Sequence, residues 1–278
     1  MSGEPEVRVL DDPEATSRAA AEALADALRE AVERRGRADW ATTGGSTPVG
    51  IYRALAVPPL REAVPWFAVH AWWGDDRFVP RDHPLSNVLP LDQVLVSAAA
   101  RAGLSGTGAD AVEVELGIEP GVSMRVENIH APAMTAAIAD GAGVERVATE
   151  YEAELRAAGL PIADSGFPVF DVMLVGIGED GHVLSVFPGS PLFEAKAWAS
   201  PVPAPTHIEP HVARMSLHPR VLEAARSVIV VAHGAGKAEM LASVLGPEHD
   251  ERRWPAQLAR RAGATWFLDR AAAASLPR

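Results

Sequence analysis

The chain has no cysteine among its 278 residues. That excludes disulfides, thiolate nucleophiles and cysteine-based zinc sites, and makes a cytoplasmic location the expectation. It also lacks any apolar run near the roughly 18 residues needed to span a bilayer, and its acidic opening segment carries no signal-peptide pattern. Positive charge is scarce, with 25 Lys and Arg against 37 Asp and Glu and a net charge of −12. Nucleic acids are bound by clustered basic side chains, so no nucleic-acid partner is expected. A small anionic substrate stays open, because with a Debye length of about 8 Å a few cations at a pocket outweigh a distant acidic surface. No repeat, low-complexity tract or flexible linker divides the chain, and one domain over residues 1–278 is expected, with a core burying about 75% of the unfolded surface.

Apolar and β-branched runs alternate with helical patterns along almost the whole chain. Val7–Leu10, Trp40–Thr43, Phe67–Trp73, Met124–Ile129, Val169–Val175, Val212–Leu217, Ser227–Ala232 and Thr265–Leu268 read as strands, with a further short strand near Trp198. Helices are expected over Asp12–Arg35, capped by Asp11 or Asp12, over Val49–Leu55 with Pro48 at its first position, and over Val144–Ala158. Others are expected after Asn87, with Ser86 or Asn87 as cap, and at His218–Ala225, Gly236–Leu245 and Pro255–Arg261. Between Ala98 and Val122 the pattern weakens to a helix end and a loop, and six prolines from Pro188 to Pro210 exclude a long helix there. The alternation predicts a doubly wound, mostly parallel, Rossmann-like sheet with helices on both faces.

The stretch FDVMLVGIGEDGHVLSVFPGSP, Phe170–Pro191, combines a buried-type strand with Gly176, Gly178 and Gly181 and a histidine at the strand's carboxyl end. The glycines formally satisfy GxGxxG, yet Pro188 and Pro191 interrupt the helix and second strand that a dinucleotide site needs. His182 is either a turn histidine bonded to backbone or a general base whose tautomer and basicity are set by Asp180. Gly44-Gly45-Ser46-Thr47 offers backbone N–H groups and hydroxyls at a helix start, an anion site or simply a capped turn. Pro48 stands where a nucleophile elbow needs glycine, and Gly234-Ala235-Gly236-Lys237 lacks the remaining features of a P-loop. Lys237 either meets phosphate or is solvated, whereas Arg214, inside an apolar strand, requires a carboxylate or an anionic ligand. Asp75, Asp76, Arg77 and His83 follow a strand without compact metal-ligand spacing, so substrate hydroxyl contacts or an ion pair are expected and no metal.

Taken together, TTGGSTP (Thr42–Pro48), WWGDDRFVPRDHPLSN (Trp72–Asn87), GIGEDGHVLSVFPGSP (Gly176–Pro191), RMSLHP (Arg214–Pro219) and GAGKAEML (Gly234–Leu241) resemble the 6-phosphogluconolactonase family. That family lies within a superfamily that includes glucosamine-6-phosphate deaminase. The resemblance covers nearly the whole chain, including the WPAQLARR and WFLDRAAAASL segments. It implies hydrolysis of 6-phosphoglucono-1,5-lactone to 6-phosphogluconate in the oxidative pentose phosphate pathway, without a cofactor. It places the phosphate loop on Gly44, Gly45, Ser46 and Thr47, its cationic partners on Arg214 and Lys237, and the catalytic histidine on His182. Asp180 would orient that ring, while Asp75 contacts the sugar and Arg77 or backbone N–H groups near Gly178 and Gly181 stabilise the oxyanion. Deaminases carry a glutamate where Phe187 stands, which favours the lactonase. The chain departs from the family at Asp76, usually glutamate, and at Val183, commonly threonine. A sugar-phosphate-sensing regulator would need a DNA-binding appendage, and no helix-turn-helix is visible. The expected partner is a small phosphorylated lactone, with no nucleic acid or membrane, and a monomer or small homo-oligomer as the assembly.

Overall fold

A computed structural model describes residues 3–96 and 121–277. Seven strands form one sheet in which every pairing is parallel: β1 (Glu6–Leu10), β2 (Ala38–Thr42), β3 (Val69–Trp73), β5 (Ile129–His130), β6 (Val172–Gly176), β9 (Ser227–Ala232) and β10 (Ala264–Asp269). Their spatial order is β1-β10-β9-β6-β2-β3-β5. Three further strands, β4 (Asp75–Arg77), β7 (Ala199–Val202) and β8 (Arg214–Leu217), make a separate antiparallel sheet in the order β4-β8-β7.

The central strands are buried on both faces, which is why their sequences read as continuous apolar runs. Val172, Leu174, Ile229 and Val231 pack with the helix α1 (Pro13–Arg35) and with α2 (Thr47–Leu55) in one hydrophobic cluster. Met173, Val175, Val228 and Val230 point the other way, into a cluster with the helix Val144–Ala157. Asp12 caps α1 by accepting the Ala15 N–H at 2.8 Å, and Gly36, in the left-handed region with φ 73°, closes it by donating to the Val32 carbonyl.

The chain enters the middle of the sheet at β2 and works outward through β3 and β5. It then returns to the other side of β2 as β6 and works outward through β9 and β10. The β2/β6 boundary is therefore the topological switch point, where open α/β sheets bind ligands at their carboxyl ends. Only Trp40↔Val172 and Ala41↔Met173 are paired between these strands, so the two chains separate beyond that point and leave a crevice.

The parallel architecture agrees with the sequence reading, but several elements differ. Arg214–Leu217 pairs antiparallel in the small sheet rather than extending the parallel one, and Asp75–Arg77, expected as a loop, is its edge strand. Of the strand expected over Met124–Ile129, only Ile129 pairs, joined by His130, because Val126–Asn128 forms a 3₁₀ turn. Phe67 and Ala68 likewise lie in a 3₁₀ turn before β3. The helix expected at Pro255–Arg261 is a 3₁₀ turn, Pro255–Ala259, whose last carbonyl accepts from the Trp266 indole. The other two late helices are shorter than expected, Val221–Ala224 and Ala238–Val244. Thr47 begins α2, which puts Pro48 second, and Val88 rather than Ser86 or Asn87 occupies the cap position of the helix Leu89–Val94. The loop expected after Ala98 lies outside the described residues up to residue 120. Among the described residues no helix is long and apolar enough to cross a membrane.

Candidate active site

A cleft of about 190 Å³ opens at the switch point. It is lined from β2 by Thr43 to Thr47, from β6 by Gly176, Ile177, Gly178 and His182, and from the small sheet by Asp75, Arg77 and Arg214. Residues at or beside four strands, β2, β4, β6 and β8, thus meet in one place. A larger groove of about 810 Å³ beside α1 and α2 shares Ser46 and Thr47 but is not lined by Arg77, Arg214 or His182. Size alone does not locate the chemistry.

The β2 turn is held from behind by Tyr52 of α2. Its hydroxyl donates to the Thr43 carbonyl at 2.9 Å and lies 2.7 Å from the Thr42 hydroxyl. Burial pushes the Tyr52 phenol up, which keeps it protonated and able to donate. Gly45 has φ 82°, a conformation that a side chain would strain, and Ser46 occupies the cap position of α2 without making a side-chain cap bond. The turn therefore keeps the Ser46 hydroxyl and the first N–H groups of α2 at the cleft.

The β6 turn is self-contained. The Gly178 N–H donates to the His182 carbonyl at 3.0 Å, and the Gly181 N–H donates to the Gly178 carbonyl at 3.1 Å. Both N–H groups are consumed within the turn, so the donors expected near an oxyanion are already engaged. Asp180 Oδ1 accepts the His182 backbone N–H at 3.1 Å and lies 2.5 Å from His182 Nδ1. A carboxylate can only accept, so Nδ1 carries a proton, and Nε2 is the nitrogen that remains to face the cleft chemistry. Burial pushes the Asp180 carboxyl up, but its hydrogen bonds from His182 and His207 outweigh that and hold it well below the usual carboxylate range. A Cβ on Gly178 would lie 2.0 Å from His182 Nδ1, so only glycine admits the ring here.

The small sheet contributes the charge. Arg77 and Arg214 are direct partners across the β4–β8 ladder, where like charges repel. Arg214 is 2% exposed. Each guanidinium gives one bond to a carbonyl, Arg77 to Leu85 and Arg214 to Pro210, and each keeps a buried Nε without a partner. Asp75 does not neutralise them by contact, because its oxygens accept from the Ser185 hydroxyl at 2.6 Å and from Asn87 Nδ2 at 3.1 Å. Burial lowers the pKa of Arg214, an effect the nearby Asp75 charge opposes. A buried cation, Arg214, and a half-buried one, Arg77, facing one cleft call for an anion.

Lys237 stands at the rim rather than in the cleft wall. Its ammonium donates to the Ile177 carbonyl, and burial lowers its pKa while Glu179 and Asp180 oppose that shift. Phe187 packs tilted against His182 with ring centroids 4.7 Å apart, and the Arg214 guanidinium sits 5.1 Å from the same ring. Three contributors escaped the sequence reading. Ser185 and Asn87 lock Asp75, and His207 meets Asp180; the first two lie within quoted motifs, whereas His207 has no local signal. Among the described residues no group of three or more His, Asp or Glu could hold a metal ion.

Fold and cleft together define an α/β protein that sets a carboxylate-oriented histidine beside two arginines at the switch point of a parallel sheet. The chain belongs to the family described as glucosamine-6-phosphate isomerases/6-phosphogluconolactonase, which matches residues 11–267. It is 34% identical to a 6-phosphogluconolactonase of Streptomyces coelicolor over 100% of this chain and 97% of that one. A Synechocystis 6-phosphogluconolactonase is 32% identical over 98% of both chains. The solved 6-phosphogluconolactonase of Trypanosoma brucei superposes with a TM-score of 0.77 at 26% identity, covering 99% of this chain and 100% of that one.

Proposed function

We propose that this chain hydrolyses 6-phospho-D-glucono-1,5-lactone to 6-phosphogluconate, the step that follows lactone formation in the oxidative pentose phosphate pathway. The observation that carries the reading is the juxtaposition of His182 with the facing pair Arg77 and Arg214 in one cleft. The phosphate sits on the Gly44–Thr47 turn against Arg214, with Lys237 adding charge from the rim. His182 Nε2 takes a proton from water as that water attacks the C1 carbonyl, and returns it to the ring oxygen when the tetrahedral intermediate collapses. Asp180 holds the imidazole in the required tautomer and stabilises the imidazolium between the two transfers. Arg77, with an unpartnered Nε, is the donor best placed for the oxyanion now that the Gly178 and Gly181 N–H groups are engaged. Such a lactone already hydrolyses in water, so a positioned base contributing about 10²- to 10⁴-fold supplies most of the needed acceleration.

A deaminase reading is disfavoured because Phe187, packed on His182, leaves no carboxylate where the resemblance would put one. The proposed setting is the cytoplasm, supported by the cysteine-free composition. The test mixes purified protein with freshly made lactone, follows acid release above the spontaneous rate, and assays ammonia from glucosamine 6-phosphate. Lactone turnover without ammonia is expected. Ammonia release without lactone turnover overturns the reading, as does binding with turnover of neither.

A further inference from the structure

Asp180 has a second imidazole on it. His207 Nε2 lies 3.0 Å from Asp180 Oδ2, the oxygen that His182 does not use. Because the carboxylate only accepts, His207 must carry its proton on Nε2, and Asp180 is clamped between two N–H donors. His207 also meets Phe187 edge-on, with centroids 5.4 Å apart at 86°, and Phe187 is itself packed on His182. His207 thus touches both of the side chains that support His182.

The segment carrying His207 is not a loose tail. It joins β7 to β8 and is fastened at several points. His211 Nδ1 donates to the Pro205 carbonyl at 2.7 Å, Arg214 Nη2 donates to the Pro210 carbonyl, and Ile208 packs against the core. Its side chain remains 52% exposed, so substitution there removes little packing.

We infer that His207 is a positioning residue for the hydrolytic reaction, holding Asp180 in the orientation that fixes the His182 ring. Without it, Asp180 Oδ2 turns to mobile water and the carboxylate is anchored from one side only. His182 then samples ring orientations and tautomers that do not present Nε2 to the attacking water. Substrate anchoring lies elsewhere, on the Gly44–Thr47 turn and Arg214, so the loss falls on turnover and not on binding.

This inference rests on the lactonase reading with His182 as base, and the test separates the two. Three variants divide the contributions: His207→Ala removes ring and donor, His207→Phe keeps an edge against Phe187 but no donor, and His207→Gln restores a donor. We expect kcat to fall about 5- to 50-fold in the Ala and Phe variants, short of the roughly 10²-fold cost of gross misplacement, with KM within about twofold. The Gln variant should recover most of the loss. Nitrogen-15 resonances of His182 give a readout independent of turnover, with a single Nδ1–H tautomer in the parent and averaged signals in the Ala and Phe variants. Parent-like kcat and an unchanged His182 signature in those two variants overturn the role of His207. So does a Gln variant no better than Phe. His182→Ala is the control for the underlying reading: if it retains turnover, the reading falls, and if it is inactive while the His207 variants are parent-like, only the present inference falls.

Discussion

Phe187 and His182 pack with ring centroids 4.7 Å apart, at an interplanar angle of 53°. An apolar wall against His182 keeps water from that face of the imidazole, and the same ring lies under the Arg214 guanidinium.

Replacing this ring tests what it holds apart. Phe187→Ala should destabilise the fold by about 3 kcal/mol through the cavity it leaves. Phe187→Glu should raise KM for the lactone at least about tenfold, since a carboxylate within reach of Arg214 would satisfy that cation in place of phosphate. Steady-state kinetics beside a thermal melt check both, and an unchanged KM in the Glu variant counts against Arg214 as the phosphate cation.

Arg214→Ala should raise KM by about 10²-fold while altering kcat less, because a charge-assisted contact to a remote phosphate contributes about 1.5–3 kcal/mol of binding. Arg214→Lys should recover only part, lacking the planar fork. An equal loss in kcat and kcat/KM for the Ala variant would place Arg214 at the reacting carbon instead.

Asp76 is buried beneath the cleft, and that burial raises its carboxyl to about 7, against the Asn87 and Arg77 N–H bonds that favour the charged form. Since the folded value exceeds the unfolded value near 3.8, the folded state holds a proton across that window that the unfolded chain has lost. Stability therefore falls as pH rises through this range, by up to about 4 kcal/mol, and the penalty is complete above about pH 7. Asp76→Asn does not titrate and keeps an acceptor for both N–H groups. Its melting temperature should gain on the parent as pH goes from 5 to 8, and a pH-independent difference would rule this out.

His70 behaves in the opposite sense. Burial, helped by the Arg37 charge, lowers it to about 4, and its Nδ1 lies 2.9 Å from Nε2 of His130, which stacks on Trp72 and meets Glu154. A depressed base leaves the unfolded chain with the extra proton between about 4 and 6.5, so its contribution is present above pH 6.5 and lost as pH falls toward 4. After discounting for partial solvent screening, that amounts to about 1–2 kcal/mol. Urea melts of His70→Gln should lose less stability than the parent between pH 7 and 4.5, and parallel curves would refute the assignment.

Much of this molecule was legible in the chain because the deciding chemistry is local. Buried parallel strands favour continuous apolar runs, so β6 and β9 announce themselves. The Asp180–His182 pairing is encoded within a turn of a few residues, and the glycines that permit it stand beside it. Asp12 caps α1 for the same short-range reason. Other features had no such carrier. Asp75–Arg77 and Arg214–Leu217 are too short and polar at their ends to reveal that they pair antiparallel outside the main sheet, and it is that pairing which sets Arg77 against Arg214. His207 reaches Asp180 from a proline-bearing connection whose course depends on where β7 and β8 lie. The sequence by itself therefore determined the parallel architecture, the glycine turns and the histidine–carboxylate unit. Only the tertiary structure decided which cations face that histidine, which N–H groups are already spent, and what holds its carboxylate from the far side. Those relationships are made by long-range strand pairing, which no local pattern of residues specifies.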